Sequence, residues 1–277
     1  MSNSTATISR EDTVLVEKNG PVTTVILNRP EVRNAVDPAT GRKLVEAFLA
    51  FEQDPEAVVA VFWGKGGAFC AGGDLKALSQ SGGEAWMEDL KFQETGNGEL
   101  PPGPLGPSRL QLSKPVIAAV AGPAVAGGME LALWCDLRVM EEDAYFGVYC
   151  RRWGVPLIDG GTVRLPRLVG QGRALDIILT GRKVPADEAL RIGMCERVVP
   201  TGKSREAAEA LAHEIARFPR ECMLADRNSV HRAWGMPLRE AMRQEYWNGM
   251  SCLRNEGIAG AGRFAAGKGR HGDYRDI

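Results

Sequence analysis

The sequence has few of the residues that bind transition metals. It contains three histidines and six cysteines among 277 residues. His213-Glu214 is followed by Arg217 where a zinc-binding helix needs a second histidine, and no Cys-x-x-Cys pair occurs. We therefore interpret the cysteines as reduced thiols, most of them in the core, and expect neither a metal nor a redox cofactor.

The common motifs for nucleotides and for nucleophilic serine are missing as well. The chain has no Gly-x-Ser-x-Gly elbow and no Gly-Lys-Ser or Gly-Lys-Thr phosphate loop. The glycine-containing run 64–69 lacks the third glycine of a dinucleotide fingerprint. These absences argue against nucleotide hydrolysis and against hydride transfer.

Long apolar runs and an excess of charge are absent too. No segment is apolar enough to span a bilayer, and residues 1–12 lack the basic-then-apolar order of a signal peptide. The formal net charge is -1 and the pI is about 6.4, so nothing attracts the chain as a whole to nucleic acid or to an anionic membrane. We expect a cytoplasmic protein that binds neither.

The apolar residues that are present, 44% of the chain, suffice for a substantial core. Two β-rich runs, 13–18 and 22–28, flank Asn19-Gly20-Pro21, which predicts a hairpin. Asp37 and Pro38 then predict the N-cap and the first residue of a helix. The first part of the chain therefore reads as a strand, strand, helix unit.

Similar units follow. An apolar run and then a helical pattern recur at 58–78 and at 116–134, which predicts a layered α/β core. After Thr201 the pattern becomes that of amphipathic helices. Segment 79–113 between these units is rich in glycine and proline, and we expect it to be a functional loop.

Two glycine-rich strand ends are the most informative motifs. Cys70-Ala71-Gly72-Gly73 follows the apolar run 58–63, and Ala126-Gly127-Gly128 follows the apolar run 116–120. A strand that stops at small residues before a helix leaves N–H groups free to bind an anionic oxygen. Two such ends together would form an oxyanion hole, in which each donor is worth roughly 2.7–4 kcal/mol. The alternative is that both are ordinary strand-to-helix turns.

Two acidic residues accompany these motifs. Glu130 falls in the first helical turn after Gly128 among apolar neighbours, so it is either an acid/base group with a raised pKa or a carboxylate favoured by the helix dipole. Asp159 precedes Gly160-Gly161-Thr162 and is either an N-cap or a second acid/base group.

In these motifs the chain resembles the crotonase, or enoyl-CoA hydratase/isomerase, superfamily. The matching pieces cover nearly the whole chain: Leu27-Asn28-Arg29-Pro30, Arg33-Asn34-Ala35, Phe69-Cys70-Ala71-Gly72-Gly73-Asp74-Leu75, residues 114–122, Ala126-Gly127-Gly128-Met129-Glu130-Leu131-Ala132, Cys135-Asp136, Phe146-Gly147, Gly160-Gly161-Thr162, Arg164-Leu165, Leu179-Thr180-Gly181-Arg182, Glu188-Ala189 and Val198-Val199-Pro200.

The resemblance implies a crotonase-like spiral of ββα units over residues 1–200, which holds an acyl-CoA site. Residues 201–277 then form a C-terminal helical region that covers the site and mediates assembly into a homotrimer or a dimer of trimers. The substrate is a coenzyme A thioester, and no other cofactor is needed. Its carbonyl oxygen is bound by the N–H groups of Ala71 and Gly127, and the neighbouring substrate-binding residues are Gly72, Asp74, Leu75 and Gly128.

The acid/base residues separate this chain from the hydratases it resembles. Glu130 matches the first of their two glutamates, whereas Cys150 stands in the place of the second. A thiol cannot position water as a carboxylate does. We expect either hydration of 2-enoyl-CoA in fatty-acid breakdown, double-bond isomerisation by Glu130 and Asp159, or acyl-CoA binding with weak catalysis. A lyase is favoured over an isomerase.

The nucleotide end of coenzyme A needs cations. In the superfamily it is bound by the early arginine-rich turn and by basic residues near the C-terminus. The corresponding candidates are Arg29, Arg33 and Lys268, and the alternative for each is an ordinary surface cation.

Overall fold

The chain folds around a six-stranded sheet and a smaller three-stranded sheet. The structure is a computed structural model and describes residues 12–80, 91–92 and 100–269. The large sheet contains β1 (Val14–Asn19), β2 (Val22–Leu27), β3 (Val59–Gly64), β4 (Val116–Val120), β6 (Leu137–Glu141) and β9 (Arg197–Val199), which neighbour one another in that order. The small sheet contains β5 (Pro123–Val125), β7 (Tyr145–Gly147) and β8 (Lys183–Pro185).

The predicted hairpin and the first helix are both confirmed. β1 and β2 pair antiparallel with Asn19 opposite Val22, and Gly20 adopts a φ of 55° in the turn. Helix α1 (Pro38–Gln53) begins with proline, and the Asp37 carboxylate accepts a hydrogen bond of 2.8 Å from Thr40 N. The N-cap assignment therefore holds, because a short polar side chain can satisfy the free amides of the first turn.

The remaining strands of the large sheet are parallel. Helices or loops connect each strand to the next one in the sheet. Each strand pairs parallel with its neighbour in the row β2, β3, β4, β6 and β9. β4, the central strand, is fully buried along its length. Parallel strands put all their carboxyl ends at the same edge, so the glycine motifs that follow β3 and β4 meet there.

Short helices connect these strands and close the first core. They are α2 (Leu75–Gln80), α3 (Gly127–Trp134), α4 (Gly161–Val169), α5 (Gln171–Thr180) and α6 (Ala186–Ile192), with 3₁₀ turns at Pro30–Val32, Pro107–Arg109 and Tyr149–Trp153. One large apolar cluster packs α1 and α3 against one face of the sheet. A second, smaller cluster packs α7 (Ser204–Ala216) against the other face through Ala208, Leu211 and Ala212.

The last helices are attached differently. α8 (Arg220–Ala233) and α9 (Leu238–Cys252) pack against each other and continue into a π-helical turn, Leu253–Gly257, and α10 (Ile258–Ala265). Polar contacts tie α8 to the core. Asp136 accepts from Arg227 Nε at 2.9 Å and lies 2.7 Å from His231 Nε2, and Arg220 donates to the carbonyl of Pro55.

The cysteines behave as predicted. All six are free thiols, and only Cys222 is exposed. Among the described residues no helix is long and apolar enough to cross a membrane. In the same part of the chain, no group of three or more histidine, cysteine or acidic side chains is placed to hold a metal ion.

Candidate active site

The two glycine motifs meet at the carboxyl edge of the sheet. Cys70 and Ala124 form an isolated parallel bridge, and Val125 N donates to Cys70 O at 3.0 Å. The backbones approach so closely that a Cβ atom on Gly72 would lie 2.9 Å from Gly127 N, and one on Gly128 would lie 2.0 Å from Cys70 O. The glycines are therefore required by packing between the two motifs.

The structure corrects the prediction that Ala71 supplies an oxyanion donor. The Ala71 N–H donates to Arg33 O at 3.0 Å, so it is not available to a ligand. The chain then kinks at Gly72, whose φ is +90°. Beyond the kink, the bridge between Gly73 and Val36 uses Gly72 O and Asp74 N, which leaves the Gly73 N–H without an acceptor among the described residues.

Gly127 lies where the sequence predicts a donor. It is the first residue of α3, and its N–H donates to no group in the part of the chain that the structure describes. The first amides of a helix have no partner within the helix and carry its positive partial charge. Gly73 and Gly127 thus supply two free amides from the two neighbouring motifs, and these can bind an anionic oxygen.

In the early arginine-rich turn, Arg29 supports the first motif. Arg29 lies 3.1 Å from Asp74 and 3.2 Å from Asp37 and also donates to Ala35 O. Its guanidinium is committed to these groups, so the prediction that Arg29 binds coenzyme A phosphate is not supported by its contacts. Arg33 is exposed.

One predicted substrate-binding residue, Asp74, has structural contacts, and two others are exposed. Asp74 accepts from Lys76 N and Ala77 N at 3.2 and 3.3 Å and so begins α2 as its cap, in addition to pairing with Arg29. Leu75, the first residue of α2, is 38% exposed. Lys268 is exposed just beyond α10.

Asn34 was missed by sequence reasoning. It is fully buried, accepts from Arg29 N, and donates to the carbonyls of Lys65 and Ala68 at 2.9 and 2.7 Å. It thereby joins the arginine-rich turn to the segment that leads into the first glycine motif. A signal was present, because asparagine is one of the few residues that readily adopts the positive φ, here 58°, that this turn requires.

Glu130 is held inside the protein by α3. Only 2% of it is exposed, and its Oε1 accepts hydrogen bonds from Asp159 N at 3.0 Å and Gly161 N at 2.8 Å. Its Oε2 accepts no hydrogen bond from the described residues. Burial, reinforced by the charge of Asp159, raises the Glu130 pKa to about 8. A carboxyl group with such a pKa can give and take a proton near neutral pH.

Asp159 does not act as a helix cap. The N-cap of α4 is Gly160, and no side chain bonds there. The Asp159 carboxylate is instead buried and accepts from Leu105 N at 3.0 Å and from the Ser108 hydroxyl. Burial raises its pKa above the usual value. These contacts also place part of the loop 79–113 beside the site, although much of that loop lies outside the described residues.

Cys150 lies in the 3₁₀ turn Tyr149–Trp153 and is buried. Burial raises the pKa of its thiol, and the charge of Glu130 raises it further, so the thiol and the carboxyl group share one environment. Of the predicted set, Glu130 and Asp159 are in direct contact, and Gly127 begins the helix that carries Glu130. Arg29 and Asp74 lie in their own polar cluster.

Arg138 is a second residue that sequence reasoning missed. Its guanidinium is 2% exposed and donates to carbonyls at the end of α3, at 2.8 Å for Cys135 and 3.4 Å for Ala132. It also pairs with Glu196 at 2.5 Å. A cation that caps the last carbonyls of a helix stabilises that helix, so Arg138 fixes the element that carries Gly127 and Glu130.

Comparisons with known proteins agree with this geometry. A family model described as enoyl-CoA hydratase/isomerase matches residues 17–263. An enoyl-CoA hydratase of Mycobacterium tuberculosis is 36% identical over 245 residues, which cover 86% of this chain and 87% of that protein. A carnitinyl-CoA dehydratase of Salmonella typhimurium is 38% identical over 228 residues, which cover 82% and 83% of the two chains.

Solved structures give the same result. The crystal structure of an enoyl-CoA hydratase from Mycobacterium tuberculosis superposes with a TM-score of 0.82 at 32% identity, over 92% of this chain and 96% of that one. The enoyl-CoA hydratase structure from Mycobacterium marinum gives the same values. The predicted crotonase-type α/β fold is confirmed, and the chain belongs to the enoyl-CoA hydratase/isomerase family.

Proposed function

We propose that this enzyme moves a proton next to the carbonyl of an acyl-CoA thioester and that Glu130 carries the proton. The observation that carries the proposal is a buried carboxyl group on the helix that begins with Gly127. Among the described residues, one oxygen of this carboxyl group accepts no hydrogen bond and the Gly127 amide donates none. Removing a proton beside a thioester carbonyl places negative charge on the carbonyl oxygen. Two fixed N–H donors stabilise that charge as it develops.

The two donors in this proposal are Gly127 and Gly73. Ala71 is replaced because its amide is bound to Arg33 O, whereas the Gly73 amide donates to no group in the described part of the chain and lies one residue beyond the kink at Gly72. Both donors are backbone groups held by close packing of the two motifs. They need no reorganisation when charge develops, which is what makes such donors effective.

The reaction we favour is addition of water to a 2-enoyl-CoA or its reverse, the loss of water. The names of the similar proteins, enoyl-CoA hydratase and carnitinyl-CoA dehydratase, support this direction. Glu130 has a pKa near the working pH, so it can donate the proton to the α-carbon and recover it from water.

A second candidate is isomerisation of an enoyl-CoA double bond. It is favoured by Asp159, a second buried carboxyl group whose backbone N–H donates to Glu130. Glu130 and Asp159 would then take a proton from one carbon and return it to another. Cys150 supplies no carboxylate in the place of the second glutamate, which is consistent with this division of roles.

The direct test compares Glu130→Gln with Glu214→Gln. Glu214 is exposed on α7, which packs on the other face of the sheet from α3, so its variant makes the same chemical change outside the site. With crotonyl-CoA and a 3-enoyl-CoA as substrates, we expect Glu130→Gln to lower kcat/KM by about 10²–10⁴. Glu214→Gln should keep the rate of the unmodified enzyme.

The absorbance of the conjugated thioester separates the two reactions, because hydration removes it and isomerisation of the 3-enoyl substrate creates it. Equal activity of Glu130→Gln and the unmodified enzyme would eliminate Glu130 from the mechanism. Calorimetric binding of an acyl-CoA with no turnover of any thioester would identify a binding protein instead.

Arg33 and Lys268 are the remaining candidates for the phosphates of coenzyme A, since both are exposed cations. Replacing each by glutamine should raise KM more than it lowers kcat, because phosphate contacts far from the reacting carbons bind substrate and transition state equally.

A further inference from the structure

Arg164 links the two loops that enclose the carboxyl pair. It lies on the first turn of α4, where Nη1 donates to Asp159 O at 2.9 Å and Nη2 donates to Ser108 O at 2.7 Å. The Ser108 hydroxyl in turn donates to the Asp159 carboxylate. The Pro107–Arg109 turn and the segment before α4 are therefore tied together by one side chain and its two neighbours.

The Asp159 backbone passes this constraint to Glu130. Its carbonyl accepts from Arg164, while its N–H donates to Glu130 Oε1 at 3.0 Å. Gly161 N, one turn before Arg164 on the same helix, donates to the same oxygen at 2.8 Å. The position of the Glu130 carboxyl group thus depends on a short segment whose place is fixed by Arg164.

The positive charge of the Arg164 guanidinium is not paired with a carboxylate in the described part of the chain. The hydrogen bonds of the guanidinium go to neutral carbonyls. The charged or titratable groups that face it are Glu130, Asp159, Cys135 and Arg167. Glu130 faces Asp159, Arg164 and the Cys150 thiol, and Asp159 faces Arg109 and Arg164 and lies near the Cys70 thiol.

We propose that Arg164 is a positioning residue for the proton transfer at this site: it fixes the segment that holds Glu130 and supplies the positive charge shared by both carboxyl groups. This role rests on the proposed function, in which Glu130 carries the proton. Arg109 also acts on the charge of Asp159 and donates to Ile158 O at 3.1 Å, whereas Arg164 acts on both carboxyl groups. Arg164 is thus the cation common to the pair.

The charge has a predictable effect on proton affinity. An opposite charge nearby favours the ionised form of a carboxyl group, and Arg164 lowers the pKa of Glu130 against the larger effect of burial. Without this cation, Glu130 would remain protonated to higher pH, so a smaller fraction of it would be ionised and able to accept a proton at neutral pH.

The test compares Arg164→Gln with Arg167→Gln. Arg167 lies three residues further along α4, is exposed, and stacks on Trp234 with its guanidinium carbon 5.0 Å from the ring centroid. Both variants remove one positive charge from the same helix. The measurement is an infrared titration of the protonated carboxyl stretch of Glu130, assigned by its loss in Glu130→Gln and needing no substrate turnover.

We expect a midpoint near 8 for the unmodified protein. Arg164→Gln should raise the midpoint measurably, and Arg167→Gln should leave it in place. A folded Arg164→Gln protein with an unshifted midpoint would overturn the electrostatic part of the proposal. If no thioester is turned over, the proposed function fails while this titration still decides whether Arg164 tunes Glu130.

Arg164→Lys separates charge from position and also serves if Arg164→Gln does not fold. Lysine keeps the charge but cannot reproduce the two directed bonds of the guanidinium fork. We expect its midpoint to stay near that of the unmodified protein while kcat falls roughly 10–100-fold with a smaller change in KM. An unchanged kcat would overturn the positioning role, and a raised midpoint would overturn the role of the charge.

Discussion

The sheet core and the last helices of this chain are stabilised in opposite ways. β4 and α3 bury nearly all their side chains, whereas α8 buries none completely and α9 only Cys252. The last helices instead expose large apolar side chains: Val230, Trp234, Leu238, Met242, Tyr246 and Trp247. Their attachment to the core depends on polar contacts at Asp136 and Arg220. The core is buried within a single chain, whereas the apolar face of α8 and α9 stays exposed in it.

The largest expected effect contrasts one glycine from each region. A Cβ atom on Gly128 would meet the Cys70 carbonyl at 2.0 Å, so Gly128→Ala should destabilise the fold by about 4 kcal/mol or more. Nothing lies within 4 Å of a Cβ on Gly249 in α9, so Gly249→Ala should be neutral or stabilising by up to about 1 kcal/mol. Denaturant unfolding measures both. Similar losses would mean that the two regions are equally tightly packed.

The second-largest expected loss of stability concerns the polar contacts that hold α8 to the core. Asp136 has 14% of its side chain exposed, and its pKa is lowered by His231 and Arg227 despite the opposing effect of burial. Asp136→Asn keeps an acceptor for Val116 N but removes the charge, so we expect a loss of about 3 kcal/mol. The exposed Asp143 provides the control, Asp143→Asn, which should unfold like the unmodified protein.

The same carboxylate predicts a pH dependence. A lowered folded-state pKa means that the contribution of Asp136 is complete above its ordinary value of 3.8 and is lost as the pH falls through the folded-state pKa. Release of α8 in acid should therefore appear in hydrogen exchange before the sheet opens. In Asp136→Asn this acid step should be missing. Its persistence there would show that another group controls the attachment.

The site itself provides a smaller stability effect with the opposite pH direction. Glu130 has a folded-state pKa of about 8 against 4.5 for the free side chain, so its contribution to stability is complete below about 4.5 and is lost as the pH rises toward 8. Glu130→Gln should therefore be more stable than the unmodified protein at high pH, by on the order of 2 kcal/mol. The difference should shrink in acid. A destabilised variant at high pH would contradict the burial of the charge.

The smallest effect tests the exposed apolar face. Leu238 is 76% exposed, so Leu238→Lys should change the stability of the single chain by no more than about 0.5 kcal/mol. We propose that copies of this chain associate through this face as a trimer or a dimer of trimers. Sedimentation should then show a lower mass for the variant. An unchanged mass would place the contact elsewhere.

Local signals predicted the fold better than the site. The turn at Gly20 and the Asp37 cap follow from a few adjacent residues, and both were predicted from the sequence. The choice between Ala71 and Gly73 as amide donor was not predictable. It depends on a φ of +90° at Gly72 and on the Arg33 carbonyl 38 positions earlier in the chain.

The long-range contacts of the acids were equally hidden. Asp159 meets Ser108, which lies 51 positions earlier, and so it cannot be distinguished from a helix cap by its neighbours in sequence. Arg138 caps backbone carbonyl groups at the end of α3, and such contacts leave no trace in the side-chain pattern. In contrast, the role of Glu130 could be predicted from its position in the first turn of an otherwise apolar helix.

The contact between Gly72 and the start of α3 constrains how this sequence can evolve. A methyl group at Gly72 would meet Ala126 Cβ at 3.0 Å as well as Gly127 N, and Ala126 already has a strained φ of +54°. Neither position can accept a larger side chain unless the other changes at the same time. Substitutions at the two motifs should therefore show strong epistasis, and descendants of this chain should retain or alter the two motifs together.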